Sequence, residues 1–169
     1  LEALDSDCTF QVCCYHPFED IEPVYRAIPD NAAGILTTGL SFAQAIRQAH
    51  PEDTREICPF YIDDAAVHRL LWRLQEQDGR LDPARIYTDF FDPMHMDTRD
   101  FMLNDHALTL AQVFARESGL PQDFKKGEEA RYQKLVSIWG TGQFDVILTR
   151  FSGLVPLLRE KGVRAYYPY

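Results

Sequence analysis

Apolar residues along this chain fall into two spacings. Short continuous runs at 10–15, 33–37, 57–62, 85–88, 145–149 and 163–167 predict strands. The stretches between them repeat apolar residues every three or four positions, which predicts helices over Phe18–Ala27, Leu40–Ala49, Ala65–Gln77, Ala107–Ser118, Gly127–Trp139 and Gly153–Lys161. Punctuation agrees with these limits: His16-Pro17 breaks the first run, Gly79 stops the 65–77 helix, and Gly140-Thr141-Gly142 stops the 127–139 helix. Asp63 and Asp64 are natural caps for the 65–77 helix and Ser41 for the 40–49 helix. Pro59, inside the third run, predicts an edge strand or a bulge. Residues 89–105, rich in Asp, Pro and Met, read as a loop with one helical turn.

Strands that alternate with helices predict an α/β fold, with parallel sheets flanked by helices and right-handed crossovers. The natural division falls near Gly79–Pro83. It gives two small Rossmann-like lobes, 1–83 and 84–169, each with about three strands.

One phrase occurs twice. Ile35-Leu36-Thr37 runs on through Thr38, Gly39, Leu40 and Ser41 into a helical pattern, and Ile147-Leu148-Thr149 runs on through Arg150, Phe151, Ser152 and Gly153 into another. Arg47 and Arg159 each lie ten residues past the repeated threonine. An apolar strand that ends in small polar residues and opens a helix is the junction at which open α/β sheets bind ligands. Two such junctions suggest two lobes facing one site, although two parallel strands can also look alike by chance.

Composition narrows the class. The chain is 46% apolar and 12% aromatic, ample for a core. Its formal charge of −9 and pI near 4.9 repel phosphate backbones, so direct nucleic-acid binding is not expected. No apolar run approaches the roughly 20 residues that cross a bilayer, and no signal peptide is visible. Cys8, Cys13, Cys14 and Cys58 lack paired metal-site spacing and read as buried thiols in a reducing, cytoplasmic compartment. The chain begins at Leu1 and ends at Tyr169 after an apolar run, so it reads as one module of a longer protein.

Catalytic signatures are sparse. G-x-S-x-G, G-x-G-x-x-G and the phosphate-binding G-x-x-x-x-G-K-[ST] are all missing. Asp89, Asp92, His95 and Asp97 are the one cluster with metal-like spacing, and loop solvation explains them as well. No catalytic residue, metal or cofactor is therefore expected. The candidate ligand contacts are Thr37, Thr38, Gly39 and Ser41 at the first junction, and Thr149, Arg150 and Ser152 at the second. Thr88, ending the fourth strand, joins them, with Asp89 beside it. Arg150 supplies a planar fork suited to carboxylate or phosphate, which favours an anionic ligand.

The stretch 142–163, ending Glu160-Lys161-Gly162-Val163, resembles the N-terminal sensory domain of propionate-catabolism-type bacterial activators, and 33–47 is similar to the corresponding first-lobe phrase. That resemblance implies a periplasmic-binding-protein-like architecture used inside the cell, with a small metabolite between two lobes. It also implies an output domain outside this chain.

The expectation is a cytoplasmic, non-enzymatic ligand-sensing domain of a bacterial signalling or transcription regulator, with homodimer formation left open. Two rivals stand beside it. One is a small α/β enzyme using Asp89 or Asp63 as base. The other is an interaction or dimerisation module with an exposed patch of Phe90, Phe91, Met94 and Met96.

Overall fold

A computed structural model describes residues 9–79, 81–92, 95–103, 109–110, 112 and 124–169. It is a mixed α/β fold with two short parallel sheets flanked by helices. In chain order the elements are α1 (Ile21–Arg26), β1 (Gly34–Thr37), α2 (Leu40–Ala49), β2 (Glu56–Pro59) and α3 (Asp64–Asp78). A short 3-10 turn, Pro83–Arg85, leads into β3 (Ile86–Thr88) and α4 (Thr98–Leu103). Then come α5 (Phe124–Gly140), β4 (Val146–Leu148), α6 (Leu154–Glu160) and β5 (Ala165–Tyr166).

The first sheet pairs β1 with β2, Ile35 opposite Ile57. The second has the order β3-β4-β5, with Tyr87 opposite Ile147 and Ile147 opposite Ala165. β4 is central and apolar at every position, and all three of its residues are fully buried. This is the pattern of a parallel strand covered on both faces. Val146 and Leu148 join Ile86, Phe90, Phe91 and Phe101 in one core, together with the α3 stripe Val67, Leu70, Leu71 and Leu74. Ile147 points the other way, into a second core with Leu135 of α5 and Leu154 and Leu158 of α6. The apolar face of α3 is thus spent on the second sheet.

The first sheet is covered differently. Ile35 and Ile57 pack on Ala43 and Ile46 of α2, while Leu36, on the opposite face of β1, is 47% exposed. One face is a core and the other is open.

The repeated phrase builds the same strand–helix–strand unit twice. Arg47 donates to the carbonyl of Ile57 at 2.8 Å, and Ile57 faces Ile35. Arg159 donates to the carbonyl of Ala165 at 2.9 Å, and Ala165 faces Ile147. In both units the arginine at the end of the helix ties down the next strand at the residue opposite the repeated isoleucine.

Several expectations change. The run 10–15 forms no strand: Phe10 and Val12 are 41% and 78% exposed, and the segment is tied to α1 through Gln11 and Cys13 reaching the Ala27 carbonyl. The first sheet therefore has two strands among the described residues rather than three. The described thiols are not buried: Cys14 is exposed, Cys13 and Cys58 are half-buried, and Cys8 lies outside the described residues. The third run is strand only to Pro59, after which one further ladder bond forms from the Phe60 N–H to Thr37. The first helix is shortened to Ile21–Arg26, because Phe18 adopts a left-handed backbone (φ 68°) just before it.

Ser41 does not cap α2; Gly39 takes that position and Ser41 lies inside the helix. Asp63 caps α3 as expected, accepting from the Ala66 N–H at 2.6 Å, and Gly79 closes it with φ 71°. The 89–105 stretch carries α4. Most of the expected 107–118 helix lies outside the described residues. Phe90 and Phe91 are core rather than surface, so they form no exposed patch; Met96 packs against that core, and Met94 lies outside the described residues.

Candidate functional site

The strand–helix junctions after β1 and β4 line a common cavity of about 740 Å3. Small-molecule sites typically span roughly 300–1,000 Å3. The first junction contributes Thr37, Thr38, Gly39, Leu40 and Ser41, and the second contributes Arg150, Phe151, Ser152 and Gly153.

Each junction has its own internal bonding. The Thr37 hydroxyl donates to the Gly39 carbonyl at 2.9 Å, holding the turn into α2. Tyr167, past the end of β5, donates its hydroxyl to the Thr38 carbonyl at 3.1 Å and so links the second sheet to the first junction. At the second junction the Leu154 and Val155 N–H groups donate to the carbonyls of Phe151 and Ser152. The first turn of α6 is thus bonded within itself, and this junction offers the cavity side chains more than free backbone donors.

Beneath that junction lies Asp89. It is 1% exposed and accepts from the Thr149 hydroxyl at 2.7 Å and from the Arg150 N–H at 3.1 Å. Burial pushes its carboxyl above the ordinary range, against the opposing pull of Arg131, the Thr149 bond and Arg150. Thr149 in turn accepts from the Phe151 N–H at 3.2 Å. The chain from β3 through Asp89 to Thr149 fixes the backbone that carries Arg150 and Phe151.

Thr88 and Thr149 do not reach the cavity. Thr98 donates to the Ile86 carbonyl at 2.8 Å, so Thr88, 2.8 Å away, is the donor in the Thr88–Thr98 bond. The other six residues singled out in the sequence, Thr37, Thr38, Gly39, Ser41, Arg150 and Ser152, line the cavity together.

Other elements complete the wall. Tyr15, Phe42 and Phe124 meet edge-on in a triangle, with ring centroids 5.0, 5.8 and 5.9 Å apart. From α5 come Glu128 and Arg131. Glu128 is buried, accepting from the Tyr15 hydroxyl and from the Phe18 N–H at 3.0 Å, which fastens the 15–18 segment to α5. Burial, with the Glu128 carboxylate beside it, pushes the Tyr15 phenol far above its ordinary value. The same segment presses Pro17 on Gly153, where a Cβ would lie 3.0 Å from the proline Cγ. The Arg131 and Arg150 guanidiniums lie 5.6 and 5.4 Å from the centroid of one ring, Phe151.

Sequence reasoning missed Tyr15, Phe42, Phe124, Glu128 and Arg131. The last three had a faint signal, since 124, 128 and 131 fall at helical spacing in line with the buried Leu135 on one face of α5. The acidic loop residues have local partners. Asp92 accepts from the Tyr87 hydroxyl at 2.7 Å and from Lys134 at 2.6 Å, and Asp97 accepts from the Asp100 N–H at 2.8 Å. Among the described residues, no group of three or more His, Cys, Asp or Glu is placed to hold a metal ion. No described helix is long and apolar enough to cross a membrane.

Compared with protein-family models, curated proteins and solved structures, the chain matches none.

Proposed function

We propose that the chain is a ligand-sensing regulatory domain of a bacterial signalling or transcription regulator, acting inside the cell and binding a small anionic metabolite between two periplasmic-binding-protein-like lobes. One observation carries this reading. Both copies of the repeated strand–helix junction line one cavity, and two guanidiniums gather at it. Ligand bridging the junctions favours a closed arrangement, and that shift of population biases an output domain outside this chain. Because only differential affinity moves such an equilibrium, Thr37, Ser41 and Arg150 act jointly.

The enzyme alternative draws less support from the geometry. Asp63 is engaged as a helix cap, and Asp89 lies beneath the cavity with two donors already bound.

A thermal-shift screen against organic acids, phosphates and nucleotides, repeated on Arg150→Ala, tests the proposal. A ligand that binds only the folded state adds about 2.7 kcal/mol at a hundredfold excess over its Kd. Stabilisation by an anion that disappears in Arg150→Ala supports the sensor. Silence across all three classes sinks it and leaves the interaction module.

A further inference from the structure

We propose that the cavity takes an amphiphilic monocarboxylate, an acid with a single anionic head on an aryl or similarly bulky apolar body, in preference to a small polyanion. This rests on reading the cavity as a ligand site, and it deepens that reading by naming the chemical class.

The cationic groups are at one place. Arg131 and Arg150 converge on the single ring of Phe151, each within 5.6 Å of its centroid. Arg131 also lies 3.8 Å from the Asp92 carboxylate, and Arg150 lies beside Asp89. Guanidiniums recognise a carboxylate through paired, parallel hydrogen bonds, so this end of the cavity suits one planar anionic head rather than several.

Another part of the wall, beside the polar junction residues, has a different character. The Tyr15–Phe42–Phe124 triangle has no donors to offer apart from the Tyr15 hydroxyl, and that hydroxyl is committed to Glu128. Leu36, Phe60 and Tyr61, also lining the cavity, are 47%, 53% and 53% exposed. Large apolar side chains left open to water along a concave wall mark a binding surface, because covering them releases that unfavourable hydration. An apolar ligand body does so, whereas a second or third carboxylate facing these rings loses its own water with nothing in return.

Glu128 adds repulsion. Its buried carboxylate stands on the same wall as the rings, four residues from Phe124 and three from Arg131 on one helix. Extra negative charge on the ligand, placed away from the arginines, meets that carboxylate in a poorly solvated setting where like charges interact strongly. The wall thus selects by rejecting the polyanion as well as by holding the single head. With about 740 Å3 available, a ring and a short side chain fit with room for water.

Isothermal titration calorimetry on the wild-type chain compares three probes: 3-phenylpropanoate, its neutral amide 3-phenylpropanamide, and citrate. The expected result is binding of 3-phenylpropanoate, with both the amide and citrate weaker by about tenfold or more. Tyr61→Ser, at an exposed position that leaves the core intact, is expected to weaken 3-phenylpropanoate severalfold without lowering the melting temperature. Citrate binding more tightly than 3-phenylpropanoate, and lost in Arg150→Ala, overturns the proposed class while leaving the anion-sensor reading standing. Equal affinity for acid and amide overturns the anionic head. Failure of both acids to bind overturns the class, and the sensor reading then stands or falls on the phosphates and nucleotides of the wider screen.

Discussion

The contact between Tyr15 and Glu128 joins the amino-terminal segment to α5, and its strength can be worked out from its surroundings. Glu128 is 5% exposed and has two donors in the structure, the Tyr15 hydroxyl and the Phe18 N–H. A hydrogen bond to a charged acceptor contributes about 1.5–3 kcal/mol. Tyr15→Phe removes one such bond and leaves a buried carboxylate with a single donor, so it should cost about 2 kcal/mol. Glu128→Ala strands the Phe18 N–H and leaves the phenol only the Glu19 carbonyl at 3.3 Å, but it relieves a buried charge, so it should cost about 2–4 kcal/mol. Once Glu128 is gone, the phenol keeps only the longer contact to the Glu19 carbonyl at 3.3 Å, so the second substitution should cost little. The coupling energy in the double-mutant cycle should then be about 1.5–3 kcal/mol. For a chain of this size each kcal/mol moves Tm by about 2–4 °C, so Tyr15→Phe should melt about 4–8 °C lower. Urea unfolding of the four proteins measures the cycle. Costs that add to within about 0.5 kcal/mol would refute the latch. An alkaline arm adds a second check. The Tyr15 phenol is held above its ordinary value of about 10, so its contribution to stability is full below pH 10 and lost as pH rises further. Tyr15→Phe should lack that part of the alkaline loss.

Three further outcomes follow from the same geometry. Burial raises the Asp89 carboxyl, so the folded state favours its neutral form; this contribution is full below pH 4 and lost as pH rises through the raised value. Denaturant unfolding of Asp89→Asn should therefore gain on wild type as pH rises above 4, and a gap that stays constant would contradict this. Gly153→Ala should lower stability by about 1 kcal/mol through its contact with Pro17; adding Pro17→Ala should restore most of the loss in a thermal melt, and an additive double mutant would count against the contact. Arg47→Met and Arg159→Met each remove one bond to a strand carbonyl and should each cost about 0.5–1.5 kcal/mol. Unequal effects beyond that range would mean that the two units are not equivalent.

Much of the second sheet was legible because one requirement dominates there. Val146–Leu148 must be apolar on both faces, so the run reads as a buried strand on its own. The run 10–15 misled for the opposite reason. Its alternation suits a strand, but strand formation needs a partner, and the segment is held through its side chains instead. The junction residues were visible because a strand end, small polar residues and a helix start are contiguous in the chain. The ring wall was not, since positions 15, 42 and 124 are brought together by tertiary packing alone. Asp89 stood out as an acid after a strand, but its role beneath Thr149 and Arg150 depends on the pairing of β3 with β4.

The most direct test of the central claim is a backbone amide NMR titration of the 15N-labelled chain with the acid that stabilises it most in the thermal screen. The amides of Thr38 and Gly39 at one junction, and of Phe151 and Ser152 at the other, should shift together and fit a single Kd. Shifts confined to one junction, or two Kd values that differ beyond error, would contradict a shared site.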